Sequence, residues 1–332
     1  MANEEALRIS ELTGEPMPGG REVAPSKRRG FRPGFGRLTL IGVPYLWLLL
    51  LFLLPFAIVF KISFSDITIA IPPYTPVFDV ADGIAGNLAK LREFTLQNYG
   101  FLATDSLYYL SYLSSLKIAF VATVITLLIG FPLAYGMARA PREWRPLLVM
   151  LVILPFWTSF LIRVYAWIGI LSREGLLNQF LIWLGILDPA NPLVILSTNT
   201  AVYIGIVYSY LPFMVLPLYA TLEKLDETLL EAASDLGCPP WKAFWQITVP
   251  LAIPGVIAGC FLVFIPAVGE FVIPDLLGGS ETLMIGRTLW TEFFNNRDWP
   301  LSSAIAVVLL LILVVPIMYF QHHQARLQES DR

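Results

Sequence analysis

Six stretches of this chain stay apolar for about the thickness of a lipid bilayer. A hydrocarbon core of about 30 Å takes roughly 20 helical residues at about 1.5 Å each. The segments 39–60, 112–137, 147–170, 200–222, 251–275 and 301–320 all reach that length with few charges. No single soluble core hides six such runs, and a span in lipid has to satisfy its own backbone N–H and C=O groups, as a helix does. The sequence therefore predicts an all-α, polytopic membrane protein with six transmembrane helices. Of its 332 residues 56% are hydrophobic and 14% charged, against about 25% charged in ordinary soluble domains. A seventh apolar run, LLNQFLIWLGIL at 176–187, is too short to cross and is expected at the interface or against the bundle.

Charge beside the spans sets orientation. The polar N-terminal tail, 1–38, carries Lys27, Arg28, Arg29, Arg32 and Arg37, and the connector after the second span carries Arg139, Arg142 and Arg145. Basic residues favour the inner side, so both termini are expected inside. The first apolar run is too long for a signal-peptide core and is followed by Lys61 rather than a small-residue cleavage site. It reads as a retained span, 39–61. An outer loop, 62–111, follows, then five further helices over 112–320 with an inner segment at 223–250, and an inner tail, 321–332. A net charge of −3 with no basic stripe argues against nucleic-acid binding. Cys238 and Cys260 make neither a disulfide framework nor a zinc pattern.

No phosphate loop of the GxxxxGK[ST] type, no HExxH and no GxSxG occurs, and the two histidines, His322 and His323, stand in the C-terminal tail. No nucleophile, base and orienting group can be assembled, and no metal site. The chain is expected to be no enzyme. Prolines 44, 55, 132, 155, 212, 217, 266 and 274 interrupt its spans. Broken helices suit a transporter or channel better than a lipid anchor.

The segment TLEKLDETLLEAASDLGCPPWKAFWQITVP, 221–250, is polar between two very apolar runs. Leu225, Leu229, Ala232 and Ala233 recur at helical spacing, Gly237 is placed to end a helix, and Pro239 and Pro240 can open the next. Trp241, Phe244 and Trp245 then form a short amphipathic turn, and Pro250 marks re-entry into the membrane. The residues read equally as a rigid helix–turn–helix docking knob and as an interfacial amphipathic hairpin.

The spacing Glu231-Ala232-Ala233, three residues, Gly237, nine residues, Ile247, two residues, Pro250 resembles the signature loop of binding-protein-dependent ABC importer permeases. Val249 stands where that family often has leucine. The stretches LPFWTSFLIRVYAWIGIL, AVYIGIVYSYLPFMVLPLYATLEKLD, FIPAVGEFVIPDLLGG and EFFNNRDWP are similar to the spermidine/putrescine permeases within it. The resemblance implies the type I importer permease fold and a place in the bacterial inner membrane, with 62–111 periplasmic. It implies polyamine import, putrescine above all, through a translocation path that this chain helps to form. The implied partners are a second homologous permease, two copies of an ATP-binding subunit that hold the ATP and magnesium, and a periplasmic polyamine-binding protein. Glu231, Ala232, Ala233, Gly237, Ile247 and Pro250 would then couple the ATPase to the spans. A stand-alone channel or secondary transporter for a small organic cation is the alternative.

A polyamine path needs carboxylates or aromatic faces without deep traps. Glu270, late in the fifth run, is the leading candidate, since an acid at that depth is costly unless it faces a cavity or partner. Arg163, inside the third run, would repel the substrate and is expected in a structural ion pair, with Glu270 as the candidate partner, or clamped by backbone carbonyls. Trp157, Tyr165, Trp167, Tyr208 and Tyr210 offer ring faces, though packing explains such residues as well. Asp275 is expected near the outer end, and Asp298 as a helix cap before the last span.

Overall fold

The computed structural model describes residues 35–330. The basic cluster from Lys27 to Arg32 lies outside the described residues. Two compact units part at Phe56 and Ala57. In the first, α1 (Phe35–Leu48) runs through a π turn, Leu49–Leu53, toward α2 (Leu54–Ile62), so helix begins within the stretch expected as tail. The wide turn covers Leu51, the residue whose carbonyl the ring of Pro55 would otherwise meet.

The expected outer loop, 62–111, is built rather than bare. A two-stranded antiparallel ribbon, β1 (Asp66–Ile67) with β2 (Tyr74–Thr75), pairs Asp66 with Thr75. Two short helices follow, α3 (Gly83–Lys90) and α4 (Gln97–Thr104). Asn98 donates to the carbonyls of Ser63 and Ser65 at 3.0 and 2.9 Å, which fastens α4 to the end of α2. The Lys61 ammonium donates to the Pro76 carbonyl and sits 4.6 Å from the Tyr74 ring and 4.7 Å from that of Phe78.

Beyond it run α5 (Ser106–Arg139), α6 (Arg145–Ile153), α7 (Phe160–Leu171), α8 (Leu176–Trp183), α9 (Asn199–Leu222), α10 (Thr228–Asp235), α11 (Pro240–Ala243), α12 (Val249–Val268), α13 (Val272–Leu276), α14 (Ile285–Trp290) and α15 (Trp299–Ser330). Among the described residues five stretches are long and apolar enough to cross a bilayer as single helices, and a bent pair makes a sixth. The last of these helices continues through the expected tail boundary to Ser330.

Two spans differ from the sequence expectation. The third is not one helix over 147–170. It turns through 88° between Arg145–Trp157 and Phe160–Trp183. Pro155 supplies no N–H, Thr158 and Ser159 are extended, and the Pro155 carbonyl is satisfied by the Thr158 hydroxyl at 2.8 Å. The short run after it forms α8 on the far limb of this bend. The fifth span begins at Pro240 and ends at Val268, instead of covering 251–275. Pro250 therefore lies inside a continuous helix and marks no break. A second π turn, Phe244–Thr248, again covers the residue four before the proline.

The core lies where α5, α9 and α12 meet. Lipid offers no hydrophobic drive between helices, so close backbone approach over small residues replaces it. Met214 of α9 fills the space between Gly130 of α5 and Gly259 of α12. A Cβ on Gly130 would stand 2.9 Å from Met214 Cγ, and one on Gly259 2.7 Å from its Sδ. Hydrogen bonds join α5 to the outer elements: Ile285 N–H donates to Ser115 Oγ at 2.7 Å and Tyr112 Oη to the Ile305 carbonyl at 2.8 Å.

Candidate functional site

Glu270 sits in the gap between α12 and α13, not within a helix. The fifth span stops at Val268 because a buried carboxylate competes with the ladder for N–H groups. Glu270 is 8% exposed. Its Oε1 accepts from the backbone N–H of Val272 at 3.0 Å and of Ile273 at 3.4 Å, and these bonds start α13 in a new direction. Its Oε2 accepts from Tyr210 Oη at 2.5 Å, across from α9. Three donors aimed at one carboxylate fix its position, and its second oxygen keeps a lone pair for a further donor.

The carboxylate lines a cleft of about 470 Å³ with Phe156, Phe160, Arg163, Tyr210, Phe213 and Phe271. The 88° bend of the third span makes this cleft, by turning Phe156 and Arg163 toward α9. Arg163 and Glu270 share it, yet no ion pair joins them among the described residues. The expected pairing is thus not the arrangement found. The guanidinium carbon lies 5.2 Å from the Phe156 ring and 5.6 Å from that of Phe160, while Nε and Nη1 are buried without a hydrogen-bond partner. No carbonyl clamp is found either, since neither nitrogen has a hydrogen-bond partner.

Trp157, Tyr165 and Tyr208 are not brought to the cleft. Trp157 and Tyr165 are exposed and do not line it. Tyr208 lines a separate apolar cleft with Leu148, Val152 and Pro155, and stacks edge-on to Trp167 at 5.4 Å. The ring that reaches Glu270 is Tyr210. Two residues along a helix is about 200° of turn, so the two tyrosines point apart, and the 60-residue separation from Glu270 left no local signal. Asp275 pairs with Arg287 at 3.2 Å. Asp298 accepts from Leu301 N–H at 2.9 Å at the start of α15. Burial, with Glu292 nearby, holds the Asp298 carboxyl above its ordinary range despite that bond.

The 223–250 segment has the expected bend. α10 is terminated by Gly237, two residues past its last turn, whose φ of +74° suits a residue without Cβ. Cys238 N–H donates to the Ala233 carbonyl at 2.9 Å and Gly237 N–H to that of Ser234 at 2.8 Å, the paired bonds of a Schellman motif. Pro239 caps the next helix and Pro240 is its first residue. Phe244 anchors the back of the knob, 5.7 Å from the Phe131 ring and 5.5 Å from that of Tyr135 on α5. Arg139 pairs with Glu227 at 3.2 Å and Arg145 with Glu223 at 3.6 Å beside it. Ala233 is buried, Ile247 half-buried, and Glu231, Ala232 and Pro250 are exposed. Leu236, 88% exposed, and Trp241, 72% exposed, form a bare apolar tip. Nothing in the sequence sets Leu236 apart from a packed apolar helix residue, and only the fold leaves it bare.

Among the described residues no cluster of three histidines, cysteines or acids could hold a metal ion. Residues 126–327 match the family described as binding-protein-dependent transport system inner membrane component. The spermidine/putrescine transport system permease protein PotB of Escherichia coli K12 is 47% identical over 227 residues, which cover 68% of this chain and 82% of that protein. Its Haemophilus influenzae counterpart is 46% identical over 226 residues, 68% of this chain and 78% of the relative. The E. coli inner membrane ABC transporter permease protein YdcU is 28% identical over 301 residues, 86% of this chain and 89% of YdcU. A crystal structure of a bacterial ABC transporter that imports alginate superposes with a TM-score of 0.60 at 16% identity, over 88% of this chain and 96% of that one, a likeness of fold.

Proposed function

This chain belongs to the family of binding-protein-dependent transport system inner membrane components, and from that premise we propose that it is a permease subunit of an ATP-driven polyamine importer, with putrescine as its principal cargo. The observation that carries the cargo class is the Glu270 carboxylate, fixed by Tyr210 and two backbone amides in a cleft walled by aromatic rings. An alkylammonium is what such a site attracts: a charge-assisted bond to the free lone pair, and ring faces for the methylene chain and neighbouring amine. The names of the PotB relatives support the same class.

Coupling runs through the knob at 223–250. Its apolar tip suits a socket on a cytoplasmic ATP-binding subunit, and Gly237 with the two prolines keeps its angle while force is applied. Glu231, Ala232, Ala233, Gly237, Ile247 and Pro250 shape that lever. α11 continues without a break into the fifth span, so a push on the tip is delivered to the end of α12, where Glu270 stands. The assembly has two states that differ in their contacts with the ATP-bound and the free motor, as any such coupling requires. Two ATPase copies hold ATP and magnesium, a second permease completes the path, and a periplasmic polyamine-binding protein delivers cargo to the outer segments, 62–111 among them. Both termini lie in the cytoplasm. The permease core is 112–320, with the first helix outside it.

Arg163 sets a limit on the cleft: a cation bound at Glu270 avoids that wall, and the bare guanidinium nitrogens suit an acceptor on the second permease. Uptake of labelled putrescine and spermidine into cells lacking this gene, with the rest of the system intact, tests the reading. Restoring the gene is expected to restore putrescine uptake. No uptake of either polyamine, with the protein inserted and bound to its ATPase, overturns the cargo class.

A further inference from the structure

Two clefts outside the Glu270 site are walled by the same pair of helices, α6 and α9. One, of about 640 Å³, opens where the α5–α6 connector meets the end of α9, and is lined by Arg142, Arg145, Pro146, Val149, Tyr219 and Glu223. The other, of about 290 Å³, lies further along both helices and is lined by Leu148 and Val152 of α6 and Tyr208, Leu211 and Pro212 of α9. Arg145, Val149 and Val152 follow one another at four and three residues on α6, and Glu223, Tyr219 and Pro212 at four and seven on α9. Each helix therefore presents one face to both clefts. They make a single groove with a charged mouth and an apolar depth. From Arg145 to Val152 the helix rises about 10 Å, within the roughly 15 Å of hydrocarbon that one leaflet contributes to the core.

The mouth carries uncommitted positive charge. Arg145 donates from Nε to the Ala140 carbonyl at 2.9 Å, and its Nη1 stands 3.6 Å from Glu223, too far for a hydrogen bond. Arg142 is exposed and has neither a hydrogen bond nor an ion pair among the described residues. Two cations thus meet one acid in the cleft, and Glu143, the acid of the connector, is exposed and does not line it. α6 starts at Arg145 with no side-chain cap from Trp144, so the positive end of its dipole adds to the same mouth. Trp144 itself is 57% exposed beside it, as befits a ring at a membrane interface. The groove asks for an anion that is tied to an apolar chain, and basic pockets between spans on the cytoplasmic side take lipid headgroups of that kind.

We propose that this groove holds one anionic phospholipid of the cytoplasmic leaflet, with its phosphate on Arg142 and Arg145 and an acyl chain along Leu148, Val152 and Leu211. The site is independent of the cargo, and takes from the reading above only the cytoplasmic placement of the connector.

The test is native mass spectrometry of the complete assembly in detergent, incubated with phosphatidylglycerol or with phosphatidylcholine of the same acyl chains. The parent is expected to hold its first phosphatidylglycerol more tightly than its first phosphatidylcholine. Arg142→Gln, at an exposed and unpaired side chain that the fold does not use, is expected to weaken phosphatidylglycerol retention about fivefold, the share of one arginine at a membrane surface, and to leave phosphatidylcholine unchanged. Val152→Phe fills the apolar depth and is expected to weaken retention of the acyl chain under either headgroup. Arg92→Gln, at an exposed arginine of the 62–111 segment, is the control and is expected to change nothing. Equal retention of the two lipids by the parent, or equal losses from Arg142→Gln and Arg92→Gln, overturns the site. So does phosphatidylglycerol retention that survives Val152→Phe, which would mean an anion held by the arginines without the groove.

Discussion

At the scale of single residues, Glu270 and Tyr210 decide the chemistry. A carboxylate in an apolar environment is expensive unless hydrogen bonds replace its water. Here Tyr210 and the N–H groups of Val272 and Ile273 do so. Glu270→Gln keeps the size and loses the charge. It is expected to lower putrescine uptake about tenfold while co-purification with the partner subunits is unchanged; unaltered uptake kinetics would remove Glu270 from the path. Tyr210→Phe loses one charge-assisted bond, worth about 1.5 kcal/mol, and is expected to give a smaller loss in the same assay. Asp298 was readable as a cap from its place before a long apolar run. Tyr210 was not readable as the partner of Glu270, because nothing along the chain relates residues on different helices.

At the scale of elements, the knob and the helix packing carry separate consequences. The bend at Gly237 is a matter of backbone conformation alone, since a Cβ there would meet nothing within 4 Å. A β-branched residue at φ +74° is strained by about 1–3 kcal/mol. Gly237→Val is expected to leave ATP hydrolysis running while transport per ATP falls severalfold, and a correctly inserted variant with normal transport would sink the lever. Gly259→Val acts on packing instead. Its new side chain collides with Met214, and overpacking of this sort costs about 1–3 kcal/mol. Thermal unfolding of the detergent-solubilised permease should come at lower temperature, with Gly259→Ala between Val and the parent; unfolding unchanged by Val would mean that the three-helix contact is loose. The Schellman turn was legible because Gly, Pro and Pro act locally. The π turns before Pro55 and Pro250 were not, because proline alone does not say whether a helix breaks or widens.

At the scale of the whole molecule, the proposed orientation sets which surface each side of the membrane can reach. With Cys238 and Cys260 replaced by serine, a cysteine at Ile84 and another at Trp245, both exposed, report the two sides. A membrane-impermeant maleimide should label Ile84→Cys in spheroplasts, and Trp245→Cys only in inverted vesicles. The opposite pattern would reverse the orientation and place the knob where no ATPase can reach it.

The amino-acid sequence by itself determined the class of this protein, the number of membrane-length segments and the bend of the 223–250 knob. Each rests on a property carried by neighbours in the chain: apolar length, and the restricted dihedrals of glycine and proline. Tertiary structure alone decided that the third span turns through 88°, that Glu270 stands in a gap rather than a helix, and that Arg163 lines the same cleft without pairing with Glu270. The bonds that replace a continued helix ladder, Thr158 to Pro155 and Val272 to Glu270, are local, but they prevail only where α7, α9 and α12 pack around them, with Tyr210 reaching Glu270 from 60 residues away.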